Sequence, residues 1–271
     1  MISVSYILPY YNRKELIKTS LDSFLYFYQG RDDFEIVIVD DCSIDKHRLE
    51  DLVEKYNLNI NLIRLPNKTG INPCYPYNVG VRQAKGDIIV LASPETLHTS
   101  NMFEVTSEFK RLDSETYFCM SVFCTTNEQF NKEMISDLTF ESKLDVINST
   151  KPKFSLDLGK DGRESFNNIW GSWYLHSQYR KTERNFFTAL SKDLYYRLSG
   201  FDERFRNGTG YDDDEFKERV AEVVKEIIYF DDAVGIHLNH EIVNNMPPTT
   251  NSALYRKTRI DKYVSNDTWG Q

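Results

Sequence analysis

No stretch of the sequence is apolar for long enough to cross a bilayer, which takes about 20 consecutive apolar residues. The opening residues, MISVSYILPYYNR, are too short and too polar for a secretory signal and read instead as a first strand. Cysteine is sparse. Cys42, Cys74, Cys119 and Cys124 form neither a C-x-x-C pair nor a Cys/His zinc spacing, a pattern that suits reduced thiols in a cytoplasmic protein. Positive charge is in deficit: 33 Lys and Arg face 41 Asp and Glu, a net charge of −8, which argues against a nucleic-acid binder with a basic face. No G-x-G-x-x-G follows the first predicted strand and no Walker A sequence exists, so neither a dinucleotide fold nor a P-loop holds a nucleotide here. Internal repeats and low-complexity tracts are also missing. Core material is plentiful, with 40% hydrophobic residues and 17 Tyr and 17 Phe among 271 positions, enough for one large or two small domains.

The first hundred residues alternate between two periodicities. Short apolar runs at Ser3–Leu8, Phe34–Val39, Ile60–Leu65 and Asp87–Ala92 read as strands. Between them, Ile17, Leu21, Phe24 and Tyr28 recur at helical spacing, as do Leu49, Leu52, Val53 and Tyr56, and Cys74–Ala84 reads as a third helix. A β-α-β-α-β-α-β order implies an α/β fold with a parallel sheet and helices on both faces. Such sheets bind ligands at the carboxyl ends of their strands. Four loops are therefore of interest: Pro9–Arg13, Asp40–Asp45, Pro66–Asn78 and Ser93–His98.

Near the other end, GFDERFRNGTGYDDDEF (Gly200–Phe216) places Asp212, Asp213, Asp214 and Glu215 in a row between a Gly208-Thr209-Gly210 turn and a helical pattern of Phe216, Val220 and Val223. An acidic helix start is common in its own right, because carboxylates cap free N–H groups and suit the positive end of the helix dipole. The neighbours give it another meaning. PYYNR after strand one, VDDCS after strand two, the Asn67…Gly70, Asn78…Gly80 and Ala84…Gly86 spacings, and the Gly-Phe-Asp-Glu turn before an acidic pair together resemble the family 2 inverting glycosyltransferases of the GT-A fold. The resemblance covers about residues 2–100 and 184–241.

That resemblance implies roles. Asp213 would be the catalytic base, with Asp212 as its partner. Pro9, Tyr11, Asn12 and Arg13 would border the nucleotide, and Asn67, Lys68 and Asn78 would face it. Asp41 would accept the imide N–H of uracil, a bond that cytosine and adenine cannot offer; Asp40 and Asp41 also suit plain helix capping. Gly80 would serve close helix packing and Gly86 a helix end. Cys42 stands where the family usually has glycine. The family's D-x-D is missing, and Ser93-Pro94-Glu95 takes its place on the diphosphate side. A lone carboxylate is a poor cage for Mg or Mn. The expectation is thus a weak or dispensable divalent metal held by Glu95 and His240, with His237 in reserve and His98 suggestive, or a diphosphate neutralised by Lys and Arg alone.

The remainder is less specific. Thr116–Thr125 reads as an apolar strand, Lys151–Gly162 as an exposed loop, Glu226–Asp231 and Ala233–Leu238 as two strands, and Asn251–Val264 as an amphipathic helix with Lys257 and Arg259 as phosphate partners. Trp170, Trp173 and Tyr211 suit a glycan acceptor, whose C–H faces stack on aromatic rings, although a core role fits the tryptophans equally well. The expected organisation is a single GT-A domain over residues 1–271: a nucleotide-sugar half (1–100), an acceptor half (101–245) and a C-terminal tail (246–271). The expected activity is hexosyl or deoxyhexosyl transfer with inversion, from a UDP-sugar or the similar dTDP-sugar to a glycan hydroxyl. The alternatives are an inactive sugar-nucleotide or glycan-binding module and a nucleotidyltransferase, the latter disfavoured by PYYNR.

Overall fold

The structure, a computed structural model, describes residues 3–105, 113, 115–154, 171–240, 249–258 and 268–271. Its centre is one sheet built from β1 (Val4–Tyr10), β2 (Phe34–Asp40), β3 (Ile60–Arg64), β4 (Ile88–Ala92), β5 (Thr96–His98), β6 (Thr116–Thr125), β7 (Gly171–Leu175), β8 (Phe187–Ser191) and β9 (Glu226–His237). The order is β3-β2-β1-β4-β8-β6-β9-β5, with β7 also on β6. The first four strands are mutually parallel, β8 runs antiparallel between β4 and β6, and β9 is parallel to β6. This is the mostly parallel α/β arrangement that the alternating pattern implies.

Every residue of β1 and β2 is buried, as expected of strands covered on both faces. Alternation along β1 assigns the two sides. Tyr6 packs edge-on against Phe24 of α1 (Lys14–Tyr28), with ring centroids 4.8 Å apart. Ile7 faces α3 (Cys74–Gln83), where a Cβ on Gly80 would come within 2.5 Å of its Cγ2. Gly80 thus lets α3 lie close on the sheet, as expected. Gly86 does something else. Helix α3 ends at Gln83, and Gly86 passes so near the Ser3–Val4 backbone that a Cβ would meet it at 2.8 Å.

Several boundaries differ from the sequence reading. β1 extends through Pro9 to Tyr10, because β4 pairs with it only as far as Ile7 and the missing N–H of Pro9 breaks no bond on that side. The second helical pattern is a 3-10 turn at Asp45–His47 followed by the single turn α2 (Glu50–Val53). Glu226–His237 is one strand, not two. A bulge separates its halves, since Met120 pairs with Phe230 but Ser121 with Val234, and the Asp231 carboxylate in the bulge accepts from Ser121 Oγ at 2.7 Å. Lys151–Phe154 closes the helix α6 (Phe140–Phe154) rather than opening a loop; residues 155–162 lie outside the described residues. Helix α5 (Glu128–Ile135) and α6 cover a second apolar cluster that includes Phe123, Phe130, Ile147 and Trp173. Helices α4 (Met102–Val105), α7 (Lys192–Arg197), α8 (Asp212–Val223) and α9 (Thr249–Thr258) complete the second half.

Candidate active site

The loops after β1 and β2 are tied to each other. Ile44 N–H donates to Asn12 Oδ1 and Asn12 N–H donates to Ser43 Oγ, both at 2.9 Å. Asn12 therefore braces the loops instead of pointing at a ligand, and its left-handed φ of 54° turns its side chain into that role. Asp40 is likewise structural: it accepts from Ser43 N–H at 2.8 Å and pairs with Arg64 at 2.6 Å, closing the turn as a cap. Cys42 has φ 63°, the conformation glycine adopts freely, so cysteine here costs about 1 kcal/mol.

Asp41 is buried and accepts from Thr69 N–H and Thr69 Oγ1, both at 2.8 Å, and from Lys68 Nζ. A carboxylate has about four acceptor directions, so one stays available to a ligand donor. The Lys68 ammonium also sits 4.2 Å from the centroid of the half-exposed Tyr11 ring. Asp41, Lys68 and Tyr11 thus meet in one place, while Asn67 is exposed beside them. Asn78 does not join them, contrary to expectation. It is fully buried: its Nδ2 donates to Phe201 O and Glu203 Oε1, and its Oδ1 accepts from Tyr195 Oη and Phe201 N–H, at 2.7 to 2.9 Å. It locks α3 to the Gly200–Glu203 turn and has no capacity left for a nucleotide.

After β4, Pro94 O accepts from Ser20 Oγ at 2.7 Å and Ser93 N–H reaches Phe186 O, which fixes the Ser93-Pro94-Glu95 turn. The register then does the assembly. Thr96 pairs antiparallel with His237, and Leu238 N–H donates to Glu95 O at 3.1 Å. This brings Glu95, His237 and His240 together, with one ligand atom from each lying within 4.8 Å of the others. The sequence reading chose His240 over His237; the geometry supplies both. Burial favours the protonated form of Glu95, but Arg13, 2.5 Å from its Oε1, acting with His237 and His240, outweighs this and holds its pKa below the ordinary carboxylate range. Burial lowers His237 to about 4, leaving its imidazole neutral, the form that binds metals. One carboxylate and two imidazoles fit a borderline transition ion better than Mg or Ca, which prefer all-oxygen sites. His98 belongs to the core. It is buried among Tyr6, Phe24 and Phe187, its Nδ1 lies 2.5 Å from Tyr28 Oη, and burial lowers it to about 3.

The acidic run opens α8. Gly210 and Tyr211 both have left-handed φ, 66° and 68°, which turns the chain sharply into the helix. Asn251 on α9 holds this turn by donating to Gly210 O at 2.8 Å and Phe205 O at 2.9 Å. Asp212 is buried and accepts from Asn72 Nδ2 at 2.6 Å. Burial, then the neighbouring Asp213 charge, pushes its carboxyl up. Asp213 is also pushed up by burial, against the pull of Arg184, whose Nε lies 3.3 Å from Asp213 Oδ2. The same guanidinium grips Asp214 through three contacts of 2.9 to 3.1 Å. Asp214 is thus half of a pair with Arg184.

Of the aromatic candidates, Tyr211 is half-buried at the entrance to α8, its ring 5.3 Å from that of Tyr255. Trp173 is a core residue, 7% exposed and edge-on to Phe123, so it presents no stacking face to an acceptor. Trp170 and Arg259 lie outside the described residues, while Lys257 is exposed on α9. Arg184, Asn72 and Thr69 escaped the sequence reading. Each is an ordinary polar residue whose partner lies 28 to 140 positions away, so no local pattern marks it.

Arg13 of the β1 loop touches Glu95 of the β4 loop, Lys68 of the β3 loop touches Asp41 of the β2 loop, and Asn72 touches Asp212. These contacts place two acidic centres and a candidate metal cluster along the carboxyl edge of the sheet, where open α/β sheets bind ligands. Residues 5–186 match the model of glycosyl transferase family 2. The chain belongs to that family. The match ends ahead of the acidic run. Among curated proteins, the poly(ribitol-phosphate) beta-N-acetylglucosaminyltransferase TarS of Staphylococcus aureus is 34% identical over 97 residues, 35% of this chain and 16% of TarS. The amylovoran biosynthesis glycosyltransferase AmsB of Erwinia amylovora is 33% identical over 118 residues, 42% of this chain and 38% of AmsB. The chain thus spans well under half the length of these relatives. The fold resembles S. aureus TarS 1-349 in complex with UDP-GlcNAc (TM-score 0.65, 17% identity, 96% of this chain and 66% of that one). It also resembles GalNAc-T7 with UDP, GalNAc and Mn2+ (TM-score 0.60, 13% identity, 96% and 49%). Family 2 membership and the GT-A fold, both expected from the motifs, are therefore shown for this chain. No helix among the described residues is long and apolar enough to cross a membrane.

Proposed function

We propose that the whole chain works as one inverting transferase that moves a hexose or N-acetylhexosamine from a UDP-sugar to a hydroxyl of a glycan or sugar-alcohol polymer. The single observation that carries this reading is the Asp212-Asp213 pair at the mouth of α8, joined through Asn72 to the nucleotide-side loops. The sequence relatives are named for transfer to poly(ribitol-phosphate) and for amylovoran biosynthesis, and the TarS complex holds UDP-GlcNAc, which supports the choice of donor and acceptor class.

In this reading the uracil imide donates to the remaining acceptor direction of Asp41, and Tyr11 offers a ring beside it. Arg13 and Lys68 face the diphosphate. Glu95, His237 and His240 would hold a divalent ion such as Mn, which supplies positive charge to the departing diphosphate. The acceptor hydroxyl gives its proton to Asp213 as its oxygen attacks the anomeric carbon and the bond to UDP breaks. The hydroxyl becomes acidic only as that bond forms, so an ordinary ionised carboxylate suffices as base.

The test is Asp213→Asn, which keeps size and removes basicity. Turnover of UDP-GlcNAc, read as UDP release, should fall roughly 10²- to 10⁴-fold, with UDP affinity changed by no more than a factor of about three. More than a tenth of wild-type turnover would reject the assignment. An inactive binding module would show tight UDP-GlcNAc binding and no UDP release in the unaltered protein.

A further inference from the structure

Three carboxylates, Asp212, Asp213 and Asp214, are crowded at the first turn of α8 with little solvent around them; the side chains of the last two are 15% and 17% exposed. Such a cluster needs a counter-charge. Arg184 is the nearest cation, and it reaches α8 from the segment just before β8. Its planar fork is used twice: Nη2 contacts both oxygens of Asp214 at 2.9 and 3.0 Å, and Nε is shared between Asp214 Oδ1 at 3.1 Å and Asp213 Oδ2 at 3.3 Å. The other oxygen of Asp213 accepts the Asp214 N–H at 2.9 Å.

We propose that Arg184 is a positioning residue for proton abstraction, anchored on Asp214 so that its guanidinium both orients the Asp213 carboxylate and balances its charge. This inference rests on the reading of Asp213 as the base. An ammonium would not do the same, because a point charge cannot bridge two carboxylates in fixed directions as the fork does. The other groups around Asp213 do not replace it. Lys217 lies 3.8 Å from Asp214 and acts on Asp213 only at a distance. Cys74 and Tyr77 of α3, which feel the Asp212 and Asp213 charges, are buried and neutral. Asn72 is committed to Asp212.

The experiment is a pH titration of full-length protein carrying ¹³Cγ-aspartate, with the Asp213 signal assigned by its loss in Asp213→Asn. In Arg184→Gln the titration midpoint of Asp213 should rise by about one pH unit or more, a tenfold gain in proton affinity. In Arg184→Lys, which keeps the charge and loses the fork, it should rise by about half as much. If Arg184→Gln does not fold, the lysine variant alone decides. A midpoint within about 0.3 units of wild type in either folded variant overturns the proposal. The base assignment is judged separately, by UDP release from UDP-GlcNAc in Asp213→Asn. Retained turnover there, with the midpoint raised in Arg184→Gln, rejects Asp213 as base while the Arg184 pairing stands. Lost turnover with an unmoved midpoint rejects the role of Arg184 and keeps the base.

Discussion

Asn78 offers the sharpest contrast between sequence and structure, because its motif position points to the nucleotide and its contacts point to the core. In Asn78→Ala, four hydrogen bonds disappear at once. Glu203 keeps the Gly270 N–H as a donor at 2.6 Å, so its carboxylate is not orphaned. The Phe201 N–H, the Phe201 carbonyl and the Tyr195 hydroxyl lose a partner in a buried setting. Each such group costs about 1–3 kcal/mol. A water in the space left by the amide would recover part of this, which gives an expected loss of about 3–5 kcal/mol. For a chain of ordinary stability, about 5–15 kcal/mol in total, that is a large fraction. The Gly200–Glu203 turn leads towards α8, so turnover should fall as well. UDP affinity of the fraction that remains folded should stay within about threefold. Urea unfolding at pH 7 and calorimetry with UDP measure the two quantities on one preparation. A stability loss under about 1 kcal/mol, together with at least tenfold weaker UDP binding, would refute the reasoning and return Asn78 to the nucleotide site.

Asp41→Asn keeps the shape that Thr69 and Lys68 pack against but loses the charge, and should weaken UDP by about 1.5–3 kcal/mol while leaving CDP much less affected; equal losses for both in calorimetry would remove Asp41 as the base reader. His237→Ala should weaken Mn2+ binding at least tenfold, followed by electron paramagnetic resonance in the presence of UDP, whereas unchanged affinity would reduce the cluster to Glu95 and His240. Asp212 has a pKa raised in the folded protein by burial and by Asp213, so its contribution to stability is full below the unfolded carboxylate range and is lost as pH rises towards neutrality. Asp212→Asn should therefore stabilise the fold at pH 8 relative to wild type and do little at pH 4, and an effect of the same size at both would show that the charge is not what strains the site.

Much of the fold was legible because it is dictated locally. The β1 and β2 runs are apolar on both faces, α1 carries one buried stripe, and their alternation forces a parallel sheet. The carboxyl edge followed from that sheet, and the loops on it carried Asp41, Glu95 and Arg13 into the candidate site. What was not legible depends on register and on pairing across long separations. His237 and His240 compete on sequence, and only the Thr96–His237 pairing reveals that both turn toward Glu95. Trp173 reads equally well as a platform or as core, and the packing of Phe123 against it decides for core.

The same limit explains Asp214 and Arg184, and it bears on how the missing D-x-D should be understood. In a run of four acids, the sequence cannot say which carboxylate is free to work and which is held as a counter-ion. Geometry separates them: Asp214 clasps Arg184, Asp212 is tied to Asn72, and Asp213 is held by Arg184 through one oxygen and by a backbone N–H through the other. On the donor side, one carboxylate after β4 looks like a deficit only while strand order is unknown. The antiparallel β5–β9 pair returns the chain to Glu95 and delivers two imidazoles to it, so a three-donor set is assembled from the β4–β5 turn and the end of β9 instead of from one short motif. A ligand set distributed in this way depends on the sheet's far edge staying paired. Weakening that pairing, for instance with Thr99→Pro, which removes the N–H that donates across to Val234 O at 3.1 Å, should lower Mn2+ affinity before it lowers UDP affinity, because Asp41 and Lys68 follow β2 and β3, six and seven places from β5 in the strand order. Parallel loss of both affinities would mean that the two halves of the site are not mechanically separable.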